Sequence, residues 1–355
     1  MRTHAIGRVR GFVSAVAVFG CASSVAAQMP DPPGQVKGDQ RPRHEAYLFA
    51  HMMDGDYWRL HYSVSLDGLH WERLNGGKRV FDAYRGHADI CRGHDGRYYL
   101  VGNRGDDRPD INFWVSDDLI AWKRYSDYVP DLRKVPDYAR AMPRIGAPKL
   151  FFDEVGAEYL LTWHTPHDMG QTELPEPYWA SQRTLWVTSK DLKVFSDPPR
   201  KLFSWDMATI DTIVRREAGR YYAIFKDERY PTLEWTTGKT IRICCSPSLL
   251  GPYSAPGLPV SPGFREAPTL IPSPDGKAWY LYYEQYPGVA YGLSVGGRLE
   301  GPWFQAAGGT RHRDWNKYVI PPGVRHGSMM PITRKQYDAL VVAFGKGERG
   351  AGGVR

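Results

Sequence analysis

The chain has 355 residues, 42% hydrophobic and 24% charged, a balance that excludes intrinsic disorder and collagen-like repeats. Aromatics reach 13%, with 12 Trp and 22 Tyr beside 37 Gly and 28 Pro, which points to an all-β protein of many short strands. The formal charge of +7 is scattered, with no run of five Lys or Arg, and this argues against a nucleic-acid partner.

Residues 1–27 read as a secretory signal. Arg2, Arg8 and Arg10 precede the apolar segment Gly11–Gly20, and Val25-Ala26-Ala27 supplies a small-residue cleavage site. The remainder carries +4. The uncharged stretch Gly11–Ala27 is 17 residues, which argues against a permanent transmembrane span. The expectation is an exported protein, periplasmic or extracellular. Cys21, after Val18-Phe19-Gly20, resembles a lipoprotein cleavage box and leaves a lipid anchor open. Residues 28–44 read as a flexible leader, residues 45–345 as one catalytic domain, and the Gly-rich residues 346–355 as a disordered tail.

Within the central segment one turn recurs: a strand ending in Ser, a short acidic or Leu-containing bend, then an aromatic. It appears as Ser65-Leu-Asp-Gly-Leu-His-Trp71, Ser116-Asp-Asp-Leu-Ile-Ala-Trp122 and Ser189-Lys-Asp-Leu-Lys-Val-Phe195. Looser copies run from Ser246 to Tyr253 and from Ser294 to Trp303. The Ser-to-Ser intervals are 51, 73, 57 and 48 residues. The long second interval holds an insertion near Gln171–Trp179, read as a loop over one face.

A second element precedes four of these turns: an apolar strand, a turn, and an aromatic-rich strand. In chain order the pairs begin at Asp89 and Gly96, Ala147 and Glu158, Asp211 and Gly219, and Glu266 and Ala278. A terminal strand, His326-Gly-Ser-Met-Met-Pro-Ile332, lacks partners, which stand at the other end as Tyr47–Met52, Arg59–Ser65 and Trp71–Leu74. Four complete units and one split between the ends predict a five-bladed β-propeller, its ring closed by strands from both termini. Closure removes the bare sheet edges that invite aggregation. Cys91, Cys244 and Cys245 are an odd number without a C-x-x-C, and adjacent cysteines rarely pair. They read as buried apolar residues in strands.

Innermost strands of a propeller converge on its axis, so polar residues at their starts meet at one mouth. These are Asp89 with His87 beside it, Asp211, Glu266 and His326. Carboxylates around a pocket suit glycosidic cleavage, in which one group protonates the leaving oxygen and another activates water. A separation of roughly 6.5–9.5 Å gives inversion. A further carboxylate near the acid would raise its pKa.

The strings Ala147-Pro-Lys-Leu-Phe-Phe-Asp153, Ile210-Asp211, Arg265-Glu266-Ala-Pro268 and Arg325-His326-Gly-Ser328 resemble glycoside hydrolase family 43. The likeness covers about residues 45–340 and implies a five-bladed propeller acting on arabinofuranosides, xylosides or related glycans, exo-acting and inverting. By position it implies Glu266 as general acid and Asp211 as the residue that tunes that acid. It makes His326 a late axial residue that can hold water or a metal. The family's base falls on Arg85-Gly-His-Ala-Asp-Ile90, where register selects either Asp89 or His87. Asp89 is favoured, because a carboxylate is the usual water activator. Arg325, His51, Trp163, His164, Lys226, Glu228 and Tyr283 could line the pocket, although the aromatics equally suit blade cores. Asp106-Asp107, near Arg104, reads as a solvated loop. The resemblance implies no organic cofactor and leaves an axial calcium or sodium ion near His326 open. The expected partner is an oligo- or polysaccharide. Two alternatives remain: a propeller glycosidase with a His acid or base acting on another sugar, and a non-catalytic glycan-binding propeller.

Overall fold

In the computed structural model the described residues are 41–105, 108–138, 144–168, 174–233, 235–308 and 317–345. The signal, Cys21, Asp106-Asp107, the start of the insertion and the C-terminal tail lie outside them. Met1–Asp39 and Gln40–Arg355 separate as two units, and every described residue belongs to the second.

The strands fall into five antiparallel sheets. β1 (Ala46–Met53), β2 (Asp56–Ser65) and β3 (Glu72–Arg73) come first. The first complete blade is β4 (Asp89–Arg92), β5 (Tyr98–Gly102), β6 (Ile111–Ser116) and β7 (Lys123–Tyr128). The second is β8 (Gly146–Asp153), β9 (Glu158–Pro166), β10 (Gln182–Ser189) and β11 (Arg200–Lys201), with a single helical turn, α1 (Pro177–Ala180), between β9 and β10. The third is β12 (Thr209–Glu217), β13 (Arg220–Asp227) and β14 (Thr240–Ser246). The fourth is β15 (Arg265–Pro272), β16 (Trp279–Gln285), β17 (Tyr291–Gly296) and β18 (Trp303–Gln305). β19 (Val324–Ile332) then pairs with β1, from Ala46↔Ile332 to Met53↔Val324, so the fifth blade is built from both ends as the repeat predicts. The protein is a five-bladed β-propeller. A capped helix, α2 (Arg334–Phe344), follows β19 and packs on the closing blade.

The recurring Ser turn has a local cause. Ser65 Oγ accepts from Gly68 N–H at 2.9 Å, and Asp67 Oδ1 accepts from Leu69 and His70 N–H at 2.8 Å each. Ser116 with Asp118 and Ser189 with Asp191 repeat that pattern. The Ser and Asp side chains thus satisfy the bend's backbone donors. The residue after each Asp has positive φ: Gly68 at 71°, Leu119 at 68° and Leu192 at 56°.

Hydrophobic packing forms five clusters, one at each blade–blade interface, each joining neighbours through residues such as Leu100 and Tyr62, or Leu281 and Ile224. Around the axis, side chains also stitch inner strands together. Ile90 N–H donates to Ser328 Oγ at 3.0 Å, Leu150 N–H to Asp89 Oδ2 at 2.7 Å, Ala267 N–H to Asp211 Oδ2 at 2.9 Å, and Met329 N–H to Thr269 Oγ1 at 2.8 Å. Thr162 Oγ1 donates to Thr212 O at 2.8 Å between the second and third blades.

Two expectations need correction here. Arg41 and His44, placed in a flexible leader, are fastened: Arg41 Nε donates to Gly276 O at 2.7 Å and His44 N–H to Pro274 O at 2.9 Å. Of the three described cysteines, all free, only Cys244 is fully buried, while Cys91 and Cys245 are intermediate. No helix among the described residues is long and apolar enough to cross a membrane.

Candidate active site

Four innermost strands are interrupted by bulges near their starts: between Gly146 and Lys149, Ile210 and Ile213, and Glu266 and Thr269, and at His326, where His51↔Gly327 is followed by Met52↔Arg325. Ala147, Asp211 and Ala267 take positive φ there, of 40°, 54° and 49°. Such a bulge re-aims side chains, and here it accompanies Asp211 and Glu266 at an axial cavity of about 200 Å³. Tyr57, Trp58, His87, His164, Trp179 and Tyr286 line it with the charged residues described next.

A chain of alternating charges runs along this cavity. Glu176 Oε2 pairs with Lys239 Nζ at 2.7 Å, and Lys239 also pairs with Glu228. Glu228 Oε2 pairs with Lys226 Nζ at 2.8 Å, and Lys226 with Glu266 Oε2 at 2.8 Å. Glu266 Oε1 meets His326 Nε2 at 2.9 Å, and His326 lies 3.4 Å from Glu284 Oε2. Glu284 in turn pairs with Arg325, which reaches Asp54 at 3.0 Å. Lys226 and Lys239 are each 1% exposed, so these ions meet with little water between them.

The pairing decides the protonation pattern. Burial works to raise the Glu266 pKa, but Lys226 and then His326 outweigh it and hold the carboxyl well below its usual range. Burial opposes a charge on His326, yet Glu284, Glu266 and Asp211 carry its pKa up to about 9. The neutral-pH state is therefore a Glu266 carboxylate beside a His326 imidazolium. This corrects the expectation that Asp211 keeps Glu266 protonated. Asp211 lines the cavity, with one oxygen on Ala267 N–H and the other 3.9 Å from His164 Nδ1. His164, lowered to about 4 by burial, accepts from Asp211 N–H at 3.3 Å.

His87 and Asp89 separate clearly. His87 lines the cavity, and neither of its buried ring nitrogens has a hydrogen-bond partner among the described residues. Burial first, then the nearby His326, Lys149 and His164, push its pKa well down, so the ring is neutral. Trp58 stacks on it at 4.7 Å and 17°, from a strained φ of 66°. The His326 ring lies 4.9 Å away. Asp89, by contrast, is not among the cavity-lining residues. It faces Lys149 and Arg215 and accepts from Leu150 N–H, so its carboxylate is spent on an inter-blade stitch. β4 pairs without a bulge from Asp89 onward, which leaves the residue two positions earlier at the cavity.

Of the other expected residues, His164, Lys226, Glu228, His326 and Arg325 line the cavity. His51, Trp163 and Tyr283 do not. His51 is bonded to Ser63 Oγ at 2.8 Å inside the closing blade, Trp163 packs in the core between the first and second blades, and Tyr283 is bonded to Ser294 Oγ at 3.0 Å. The sequence reading missed Tyr57, Trp58, Glu176, Lys239, Glu284 and Tyr286, and named Trp179 only as the end of the insertion. For Glu284 a signal existed: a charge stands one position before the end of an aromatic-rich strand, as Lys226 does in the preceding blade.

His87, Asp211 and His326 bring donor atoms within 4.8 Å of one another, as do Glu266, Glu284 and His326. These sets fit a calcium or sodium ion poorly. Hard cations take many oxygens, whereas the first set offers two imidazoles and one carboxylate, and in the second set His326 already sits against both Glu266 and Glu284. No step is assigned to a metal.

Gly146 makes room for His164, because a Cβ there would overlap the imidazole. Gly146→Ala should therefore lose about 1–3 kcal/mol of stability by overpacking, read as a lower urea midpoint. It should also displace His164 from Asp211, seen as a lower affinity for ligands of the cavity.

Residues 43–338 match the model of a family related to glycoside hydrolase family 43 and described as a probable glycosyl hydrolase domain. No curated protein matches the chain. Similar solved structures include an exo-β-1,3-galactanase from Phanerochaete chrysosporium, at 16% identity and a TM-score of 0.47. That match covers 65% of this chain but 53% of the galactanase, so the chain spans about half its length. Others are α-L-arabinofuranosidases from Lactobacillus brevis, at 14% identity and a TM-score of 0.49 over 70% and 90% of the two chains, and from Clostridium thermocellum, at 13%, 0.49, 75% and 91%.

Proposed function

Because the chain belongs to this family of family-43-related glycosyl hydrolases, we propose that it is an exported, exo-acting glycosidase that inverts the anomeric carbon. Terminal arabinofuranosyl, xylosyl or related units are its expected substrates. The observation that carries the mechanism is a neutral, unpartnered His87 in the same cavity as the proton-bearing Glu266–His326 pair.

In this reading His87 accepts a proton from water held between its ring and Asp211. The water oxygen attacks the anomeric carbon as the bond to the leaving oxygen breaks. That oxygen takes the proton shared by Glu266 and His326. Single displacement suits this site, since Glu266 and Glu228 are both tied to Lys226 rather than free to act as nucleophiles. Hydrolysis of a panel of aryl glycosides, with the product anomer followed by NMR, tests the proposal. An inverted product is expected, and retention overturns single displacement.

The pH profile follows from the same groups. His326 must carry its proton, so kcat/KM should fall as pH rises through about 9. His87 must be unprotonated, and its lowered pKa places the acid limb well below 6.5. A profile flat from neutrality to about 9 is expected, and an alkaline limb near 7 would remove His326 from the proton-donating role.

The double clamp on Glu266 favours one other reading, a glycan-binding propeller without hydrolysis. Under it, the wild type would bind sugar while neither it nor Glu266→Gln hydrolysed any aryl glycoside.

A further inference from the structure

The described end of the insertion, Leu174 to Ala180, forms one side of the cavity, contributing Glu176 and Trp179. It is fastened at several points. Glu176 pairs with Lys239, Arg144 lies 5.0 Å over the Tyr178 ring, and Arg183 Nη1 donates to Ala180 O at 2.9 Å. The first tie is the unusual one. Lys239 is buried and already paired with Glu228, while the Glu176 side chain keeps 37% of its surface. Glu176 and Lys239 both adopt positive φ, of 51° and 54°, a region that non-glycine residues seldom occupy. Surrounding structure must hold both ends of the pair in place. Trp179 and Tyr286, 36% and 42% exposed, are the most exposed aromatics of a cavity in which Lys226, Glu228 and Glu266 are buried, so they mark its mouth.

We propose that the α1 segment is the wall that restricts the cavity to chain ends, that the Glu176–Lys239 pair seats this wall, and that Trp179 is the face on which the sugar beyond the scissile bond packs. The proposal rests on the glycosidase reading and names what sets its specificity. A terminal unit fills the cavity that Glu266 and His87 line, and its neighbour leaves past Trp179. An internal unit would have to continue through α1. The apolar face of a sugar ring suits an indole, which supplies broad contact with little conformational freedom to lose. The ion chain continues from Lys239 through Glu228 and Lys226 to Glu266, so the same charges fix the wall and the carboxylate.

The test compares kcat/KM on an aryl monoglycoside with that on an oligosaccharide of the same sugar, for the wild type and for Trp179→Ala, Glu176→Gln and Glu176→Asp. Trp179→Ala should lose about tenfold more on the oligosaccharide than on the aryl substrate, chiefly through KM. Glu176→Gln should show the same imbalance and release internal fragments from polysaccharide, and Glu176→Asp should restore the wild-type ratio. Equal losses on both substrates, or no loss on either, overturn the wall. A wild type inert on every glycoside refutes the glycosidase reading instead. The wall is then judged by calorimetry, where Trp179→Ala must weaken oligosaccharide binding about tenfold more than monosaccharide binding.

Discussion

Replacing His87 with Asn should lower kcat/KM by about 10²–10⁴-fold while the protein stays folded, the loss expected when a positioned base is removed. His87 is suited to that role by what it lacks: neither ring nitrogen is engaged, and burial beside His326 keeps the ring neutral. The contrasting variant is Asp89→Asn. Asparagine retains an oxygen for Leu150 N–H, so the stitch between the first two blades survives in weakened form and activity should stay within about tenfold of wild type. Steady-state kinetics on the best aryl glycoside, with circular dichroism to confirm folding, separates the two. A folded but inactive Asp89→Asn protein, with His87→Asn active, would return the base to the carboxylate.

Lys226→Met should be the most destabilising single change at the site, by about 3–5 kcal/mol, since it removes the cation shared by two buried carboxylates and leaves Glu228 to Lys239 and Glu266 to His326. Lys226 is 1% exposed and lies 2.8 Å from both Glu228 and Glu266. Without it, burial is the larger influence on Glu266, and its pKa should rise. Urea denaturation reads the loss. The double variant Lys226→Met with Glu228→Gln should recover part of it, because one of the stranded charges is gone. If Lys226→Met is as stable as wild type, the two carboxylates find compensation elsewhere and the ion chain does not hold the site together.

The architecture was readable in the sequence because its signals are local. Ser-x-Asp turns such as Ser116-Asp-Asp satisfy their own backbone donors whatever blade they sit in, so they recur as a pattern. Asp211 and Glu266 could be placed because each opens an inner strand. The misplaced residues failed on strand parity, since a shift of one position sends a side chain to the opposite face. Tyr283 was chosen where its neighbour Glu284 reaches the axis. Trp163 and His164 are adjacent, and only His164 lines the cavity. His87 and Asp89 differ by which inner strands carry bulges, a property of backbone pairing that residue types do not encode. Glu176 and Lys239 are 63 positions apart and from different blades, so nothing in local pattern joins them.

The pairing of β1 with β19 also sets the order in which the molecule can be completed. β1 emerges first from the ribosome, yet one of its two partner strands is the last blade strand to be made. Until Val324–Ile332 arrives, β1 keeps a bare edge, and such long-range pairing is the slow kind of folding event. The same late strand carries His326. A chain ending before it would lack both the closing ladder and the proton-bearing imidazole. Completion of the ring and the imidazole of the proposed mechanism are thus tied to one nine-residue segment.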